Sequence, residues 1–183
     1  MKSPEAGRIR QALRSATSGD HQRVDDLFAG YALDSATDYR AFLTAHARAV
    51  AALEPAARPD APRLSLLEQD MAALDAAMPE SLPVPSVPTP AFRWGLLYAL
   101  EGSRLGGAML GGAMLARRVG ADLPTAYLSA VHGKGEWIAF QHALDAAAAE
   151  GGEGWLDDAV QGAQTAFALF AAAAEAQRMT AHG

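Results

Sequence analysis

An all-α fold is predicted from three observations. Of the 183 residues, 43 are Ala, the best helix former and a poor strand former. Apolar side chains recur at helical spacing along most of the chain, and no run alternates apolar with polar residues as a half-buried strand does. Proline and glycine cluster at a few places, leaving uninterrupted stretches of helical length between them. The length suits one domain spanning residues 1–183, with enough chain to bury a single sizeable core.

The elements follow in order, about six main helices in all. Residues 5 to about 28 carry Ile9, Leu13, Ala16, Val24, Leu27 and Phe28 at helical period, with Ser3-Pro4 as the expected start. Ala36-Thr37-Asp38 opens a second helix with Tyr39, Phe42, Leu43, Ala47, Val50 and Leu53 on one side, stopping near Arg58-Pro59. The third is expected over about 62–78, with Leu64, Leu67, Met71, Leu74 and Met78 in register. Pro79, Pro83, Pro85, Pro88 and Pro90 then forbid regular helix or central strand, so about 79–90 is read as a crossover loop inside one domain. The fourth helix is expected over 91–118, ending at Gly120. A fifth covers about 125–149, with a break suggested near Gly133-Lys134-Gly135, and a sixth about 155–179.

Composition closes several functional classes. With no cysteine, disulfides, thiolate nucleophiles, Cys-ligated zinc and iron–sulfur clusters are excluded. Fifteen Lys+Arg against 21 Asp+Glu give a net charge of −6, without the basic footprint of a nucleic-acid partner. The polar start MKSPEAGRIRQALR lacks the apolar core of a signal peptide. The longest uncharged apolar stretch, 105–116, is too short to span a bilayer. A cytoplasmic protein without a membrane partner is expected.

Two features stand out from this background. Leu105-Gly-Gly-Ala-Met-Leu110-Gly-Gly-Ala-Met-Leu115 is a tandem five-residue repeat, and with Gly102 it places five glycines inside one helical pattern. Each costs about 0.8–1 kcal/mol against Ala in a helix interior, so the segment forgoes about 4–5 kcal/mol. Either close helix–helix contact or a bare backbone lying against a flat, bulky ligand would offset this, and spacing alone does not choose between them.

The second feature is His21. At 100° per residue it falls within about 60° of Thr17, Val24 and Phe28 on the inward side of the first helix. Arg14 shares that stripe, roughly 10.5 Å along the axis. A hydrogen-bonded core histidine and a ligand to a bound group both fit. His46 and His142 sit mid-helix, where surface or core-edge roles are the default, and His132 flanks the suggested break. None of the histidines belongs to an HExxH or Glu-x-x-His pattern, so a metal site built wholly from protein ligands is not expected.

Leu13-Arg-Ser-Ala16-Thr17-Ser-Gly-Asp-His21 and Tyr98-Ala-Leu-Glu101-Gly102-Ser103-Arg-Leu105-Gly106-Gly107 together resemble the haem oxygenase family. The first is similar to its proximal Leu-x-x-Ala-Thr-x-x-x-His helix, the second to the bacterial Tyr-Val-x-Glu-Gly-Ser-x-Leu-Gly distal helix. Ala163-Gln-Thr-Ala-Phe167-Ala-Leu-Phe170 is a weaker third match. The bacterial branch associated with phytochromes is the nearest in style.

The resemblance implies a single-domain haem oxygenase-like fold with haem, substrate and cofactor at once, held between the first and fourth helices. It implies His21 as axial ligand to the haem iron. Arg14 is placed against a propionate, and Thr17, Gly102, Gly106 and Phe167 line the pocket. Gly102, Ser103, Gly106 and Gly107 form the distal face where O₂ is activated. The implied reaction is reductive, O₂-dependent cleavage of haem to biliverdin, CO and ferrous iron. Electrons come from a ferredoxin or a reductase, and the biliverdin is a candidate chromophore for a phytochrome. A non-catalytic haem carrier or sensor on the same fold is the alternative. The mammalian branch carries a distal carboxylate where this chain has Ser103, so water on that face must be held differently. Glu101 is expected on the surface, paired with Arg104, and Phe92, Trp94 and Tyr98 in the core.

Overall fold

In the computed structural model, residues 7–103 and 115–181 are described. They form seven helical segments and no strand: α1 (Arg8–Phe28), α2 (Ala36–Ala57), α3 (Leu64–Ala73), α4 (Pro90–Gly102), α5 (Ala126–Ser129), α6 (Lys134–Glu150) and α7 (Trp155–Ala181). The predicted all-α class is the observed one. The expected Ser3-Pro4 start of the first helix lies outside the described residues, as does most of the glycine repeat.

Helix α2 is the centre of the core. The Ser35 hydroxyl caps it by accepting from the Asp38 amide at 3.4 Å. Arg58, at φ 52°, ends it in the left-handed conformation. Between the caps it is buried on more than one side, from Tyr39, Phe42 and Leu43 through Val50 and Leu53 to Ala57. Against it pack α3, α4 and the long α7.

Two expected boundaries differ. The third helix ends at Ala73 instead of running to Met78. Asp75 takes φ 51° and the Ala76 amide turns back to the Met71 carbonyl at 2.9 Å. Asp tolerates that left-handed geometry because its short polar side chain satisfies itself locally. The periodic pattern overran because Leu74 is still core while Met78, in the same register, is exposed. The expected fifth helix is two segments, α5 and α6, separated around 130–133, next to the suggested glycine break. The buried Asp70 carboxylate opens α5 by accepting from the Ala126 and Tyr127 amides at 3.0 and 2.9 Å. The Pro-rich stretch is irregular up to Thr89, whose hydroxyl caps α4 by accepting from the Phe92 amide at 3.1 Å, with Pro90 in the first turn.

Helices α4 and α7 cross at backbone distance. A Cβ on Gly95 would stand 1.9 Å from the Ala159 carbonyl oxygen, and one on Gly162 would stand 2.0 Å from that of Phe92. The facing stripe of α7 is Ala159, Ala163 and Ala166, all fully buried. Helix α1 contrasts with this close fit. Of its 21 residues only Leu13 and Thr17 are buried, although its inward stripe is apolar. That stripe faces an open cavity.

Candidate functional site

The cavity has a volume of about 1260 Å³ and lies between α1 and the last described turn of α4, with walls from α2, α5, α6 and α7. This is larger than most small-molecule sites. It runs along α1 from Gly7 to Phe28, and its two ends differ. Arg10 and Arg14 line one. Phe28, Phe42, Phe170 and His46 line the other. His21 lies between, about two helical turns from Arg14 and from Phe28.

His21 is held by its own helix. Its Nδ1 lies 3.1 Å from Asp25 Oδ2, one turn on, and its ring meets the Phe167 ring edge-on at 5.6 Å. The side chain remains 55% exposed on the cavity wall. The hydrogen bond to Asp25 raises its pKa above the ordinary histidine value, while partial burial and the Arg14 charge oppose the rise. A carboxylate on Nδ1–H fixes the tautomer, leaving Nε2 as the free lone pair, and makes that nitrogen a better donor to a metal. Thr17 is buried beneath it, with its hydroxyl donating to the Leu13 carbonyl at 2.7 Å.

Across the cavity stand Gly102 and Ser103. Among the described residues a Cβ on Gly102 would meet nothing within 4 Å, and the glycine lines the cavity, so none of these residues packs against its bare face. The Ser103 hydroxyl donates to the Leu100 carbonyl at 2.7 Å and accepts from Arg63 Nη2 at 2.8 Å. Gly106, Gly107 and Arg104 lie outside the described residues. Thus His21, Arg14, Thr17, Gly102, Ser103 and Phe167 all line one cavity. Tyr98 lines it too, its phenol pKa raised by burial against the opposing charge of Arg14. Lys134 is exposed and does not line it; Phe92 is core, and Trp94 packs behind the cavity-lining Phe140 without lining the cavity itself.

The assignments of Glu101 and His46 change, and His132, in the connection next to the expected break, takes a partner. Glu101 is buried, not a surface residue, and its carboxylate meets His132 Nε2 in a buried contact. His132 is thereby a tether between the α5–α6 connection and α4. His46 is neither surface nor core edge but cavity wall. Its Nδ1–H donates to the Phe42 carbonyl at 2.9 Å and its ring lies 4.2–4.3 Å from those of Phe42 and Phe28. Burial lowers its pKa to about 4, against the backbone bond that favours the charged form and together with the nearby Arg63 charge. The i,i+4 pairing of Phe42 with His46 was a sequence signal for this wall. Arg63 had none, because it reaches the cavity from the turn before α3.

No family model matches the chain, and no curated protein matches it. Among solved structures, the heme oxygenase of Neisseria meningitidis, determined in NO- and CO-bound forms, is similar over 92% of this chain and 91% of that one, with a TM-score of 0.74 and 24% identity. Among the described residues no helix is long and apolar enough to cross a membrane, and no cluster of three or more His, Asp or Glu is placed to hold a metal ion. The chain has the all-helical fold of that heme oxygenase.

Proposed function

We propose that the chain binds haem in this cavity and is a haem oxygenase, opening haem to biliverdin, CO and ferrous iron. One observation carries the reading: His21, its Nδ1 tied to Asp25 and its other nitrogen free, shares a large cavity with Gly102, whose missing side chain leaves the opposite wall open. An imidazole donor on one side, a bare backbone on the other and an aromatic wall between fit a flat metallomacrocycle better than a compact polar ligand.

When bound, haem supplies the iron that activates O₂ and is itself the substrate. The chain's own residues do the rest. His21 Nε2 holds the iron, and Asp25 keeps the imidazole oriented and neutral at the metal-facing nitrogen. Arg14, exposed at the cavity's basic end, is placed to meet a propionate by a charge-assisted hydrogen bond. Phe167, 8% exposed, with Phe28 and Phe170, excludes water from the apolar edge. Gly102 leaves room on the distal face, a role Gly106 and Gly107 share in this reading. The Ser103 proton is committed to the Leu100 carbonyl, so its oxygen offers a lone pair to a cavity water. Electrons come from a ferredoxin or a reductase, with Arg14 and the exposed Arg117 and Arg118 as docking charges; Arg10 is engaged by Gln141 and Asp145. Supply of biliverdin to a phytochrome fits such a product.

The test is a spectrum. Purified protein mixed with haemin should show a Soret band of a histidine-ligated haem, lost or shifted in His21→Ala. With ascorbate or a ferredoxin system and air, that band should give way to a biliverdin spectrum. A stable complex under those conditions would leave a haem carrier on the same fold, which the committed Ser103 proton favours. Absence of haem binding would overturn the proposal.

A further inference from the structure

Arg63 is a buried cation that forms no ion pair among the described residues. It is 6% exposed and lines the cavity. Its guanidinium donates to Ser103 Oγ at 2.8 Å and to the Leu100 carbonyl at 3.2 Å, and lies over the Tyr127 ring at 4.9 Å. Among the described residues no carboxylate comes within ion-pairing distance of it. Its neighbour Glu54 is spent on the backbone, accepting from the Arg63 and Leu64 amides.

The guanidinium is not there to satisfy its partners. The Leu100 carbonyl already accepts the Ser103 hydroxyl at 2.7 Å, so removing the guanidinium strands neither group. An unpaired buried charge is costly, and such charges are retained where something else supplies the balance. The adjoining His46 does not compete. Its Nδ1–H is bound to Phe42, and it stays neutral through the ordinary pH range. Next to the positive fork, therefore, stands an uncharged ring and open volume.

We propose that the Arg63 guanidinium, through the N–H groups not spent on Ser103 and Leu100, is the receptor of a small monoanion, carboxylate-sized or smaller, at the inner wall of the cavity. The anion is either free in solution or the carboxylate of a larger ligand that fills the cavity. Only the second source rests on the haem reading above; the first needs nothing but the cavity.

Sodium formate and iron-free porphyrins are the probes, and the ligand-free full chain is the protein. Thermal melts are taken over a formate series for the wild type, Arg63→Met and Arg63→Lys. If the anion is free, the wild-type midpoint rises saturably, by about 3–5 °C at roughly ten times the dissociation constant. Arg63→Lys keeps a weakened response, and Arg63→Met shows no saturable rise. Calorimetric titration of formate into the wild type and Arg63→Lys gives the same reading should Arg63→Met fail to fold. If the anion belongs to the larger ligand, tryptophan quenching shows protoporphyrin IX bound at least tenfold more weakly by Arg63→Met or Arg63→Lys, with binding of its dimethyl ester unchanged. The proposal is overturned if formate binds the wild type without saturation and the variants keep the wild-type preference between acid and ester. Should neither porphyrin bind the wild type, the haem reading fails and the formate series alone decides.

Discussion

Gly95→Ala separates what propensity says about α4 from what packing says. In a helix interior, Ala replacing Gly gains about 1 kcal/mol, so the sequence alone predicts a more stable protein. The structure reverses the sign. The new Cβ would stand 1.9 Å from the Ala159 carbonyl oxygen, 2.6 Å from the Ala163 nitrogen and 2.9 Å from the Ala159 carbonyl carbon. All three are backbone atoms of α7, which cannot rotate aside as a flexible side chain would. Ordinary contact requires the helices to part by roughly 1.5 Å, and a gap of about 0.5–1 Å already forfeits a quarter to a half of each dispersion well. The crossing buries Phe92, Leu96, Ala159, Ala163 and Ala166 to 8% exposure or less, so the loss is spread over the main helix pair. With overpacking at about 3 kcal/mol, less the propensity gain of about 1, the net cost is about 2 kcal/mol or a fall in Tm of about 4–8 °C. Thermal melts followed by far-UV circular dichroism measure it. Gly102→Ala is the control: no described residue lies within 4 Å of its Cβ, so its ligand-free Tm should not fall and should rise by up to about 2–4 °C. A Gly95→Ala protein at least as stable as the wild type would refute the close-crossing argument.

Three further outcomes follow from single groups. His46 has a folded pKa of about 4, below the ordinary 6.5, so its contribution is complete above pH 6.5 and lost as pH falls toward 4; at pH 4.5 the wild type should have lost about 2–3 kcal/mol through it. His46→Phe should lack that part of the acid limb in urea titrations at pH 7 and 4.5, and an identical acid slope in both proteins would contradict the assignment. Asp70→Ala strands one buried and one part-buried amide of α5 and should cost about 2–4 kcal/mol in urea unfolding, whereas a loss below about 1 would show that the cap is dispensable. In Asp25→Ala the chief cause raising the His21 pKa disappears while partial burial and Arg14 remain, so the His21 titration followed by NMR should move to lower pH. An unmoved midpoint would place another group on Nδ1.

Much of the architecture was legible because it is written in periodicity. Helices α1, α2 and α7 stand where the 3.6-residue pattern put them, and the Pro-rich stretch is irregular because proline has no amide to give. What was not legible depended on distant partners. The stop of α3 at Ala73 is a local left-handed turn at Asp75, hidden in the sequence because Leu74 and Met78 continue the apolar register. Asp70 reads as a polar lapse in an apolar stripe until the amides of α5, more than fifty residues on, are found against it. Glu101 likewise reads as solvated until His132 covers it. In the candidate site, residues on one helix stripe, Arg14, Thr17 and His21, could be grouped from sequence by angle alone. Arg63 could not, because it reaches the cavity from another element, and His46 offered only its i,i+4 pairing with Phe42 on α2.

The two classes of glycine sharpen what a helix-breaking residue signifies. Gly95 and Gly162 attract no notice in the sequence, being isolated, yet each touches a neighbouring backbone. Gly102 belongs to the conspicuous cluster, and its missing side chain faces open volume. The propensity cost is that of a helix interior at Gly95 and Gly162, and at most that at Gly102, the last residue of α4. At the crossing it is offset within the folded chain by α4–α7 packing. At Gly102 no described residue offsets it, and the same holds for the inward stripe of α1, where Val24 and Phe28 remain only partly covered. Both walls of the cavity therefore carry a deficit that an occupant can remove. A ligand filling the space stabilises the fold by RT ln(1 + [L]/Kd). That gain should reside mainly in α1 and the end of α4, leaving protection at the α4–α7 crossing nearly unchanged. Hydrogen exchange with and without haemin reads this directly: protection rising over α1 first is the expected order, and a uniform rise across α2 and α7 would mean that the cavity walls are no less stable than the core.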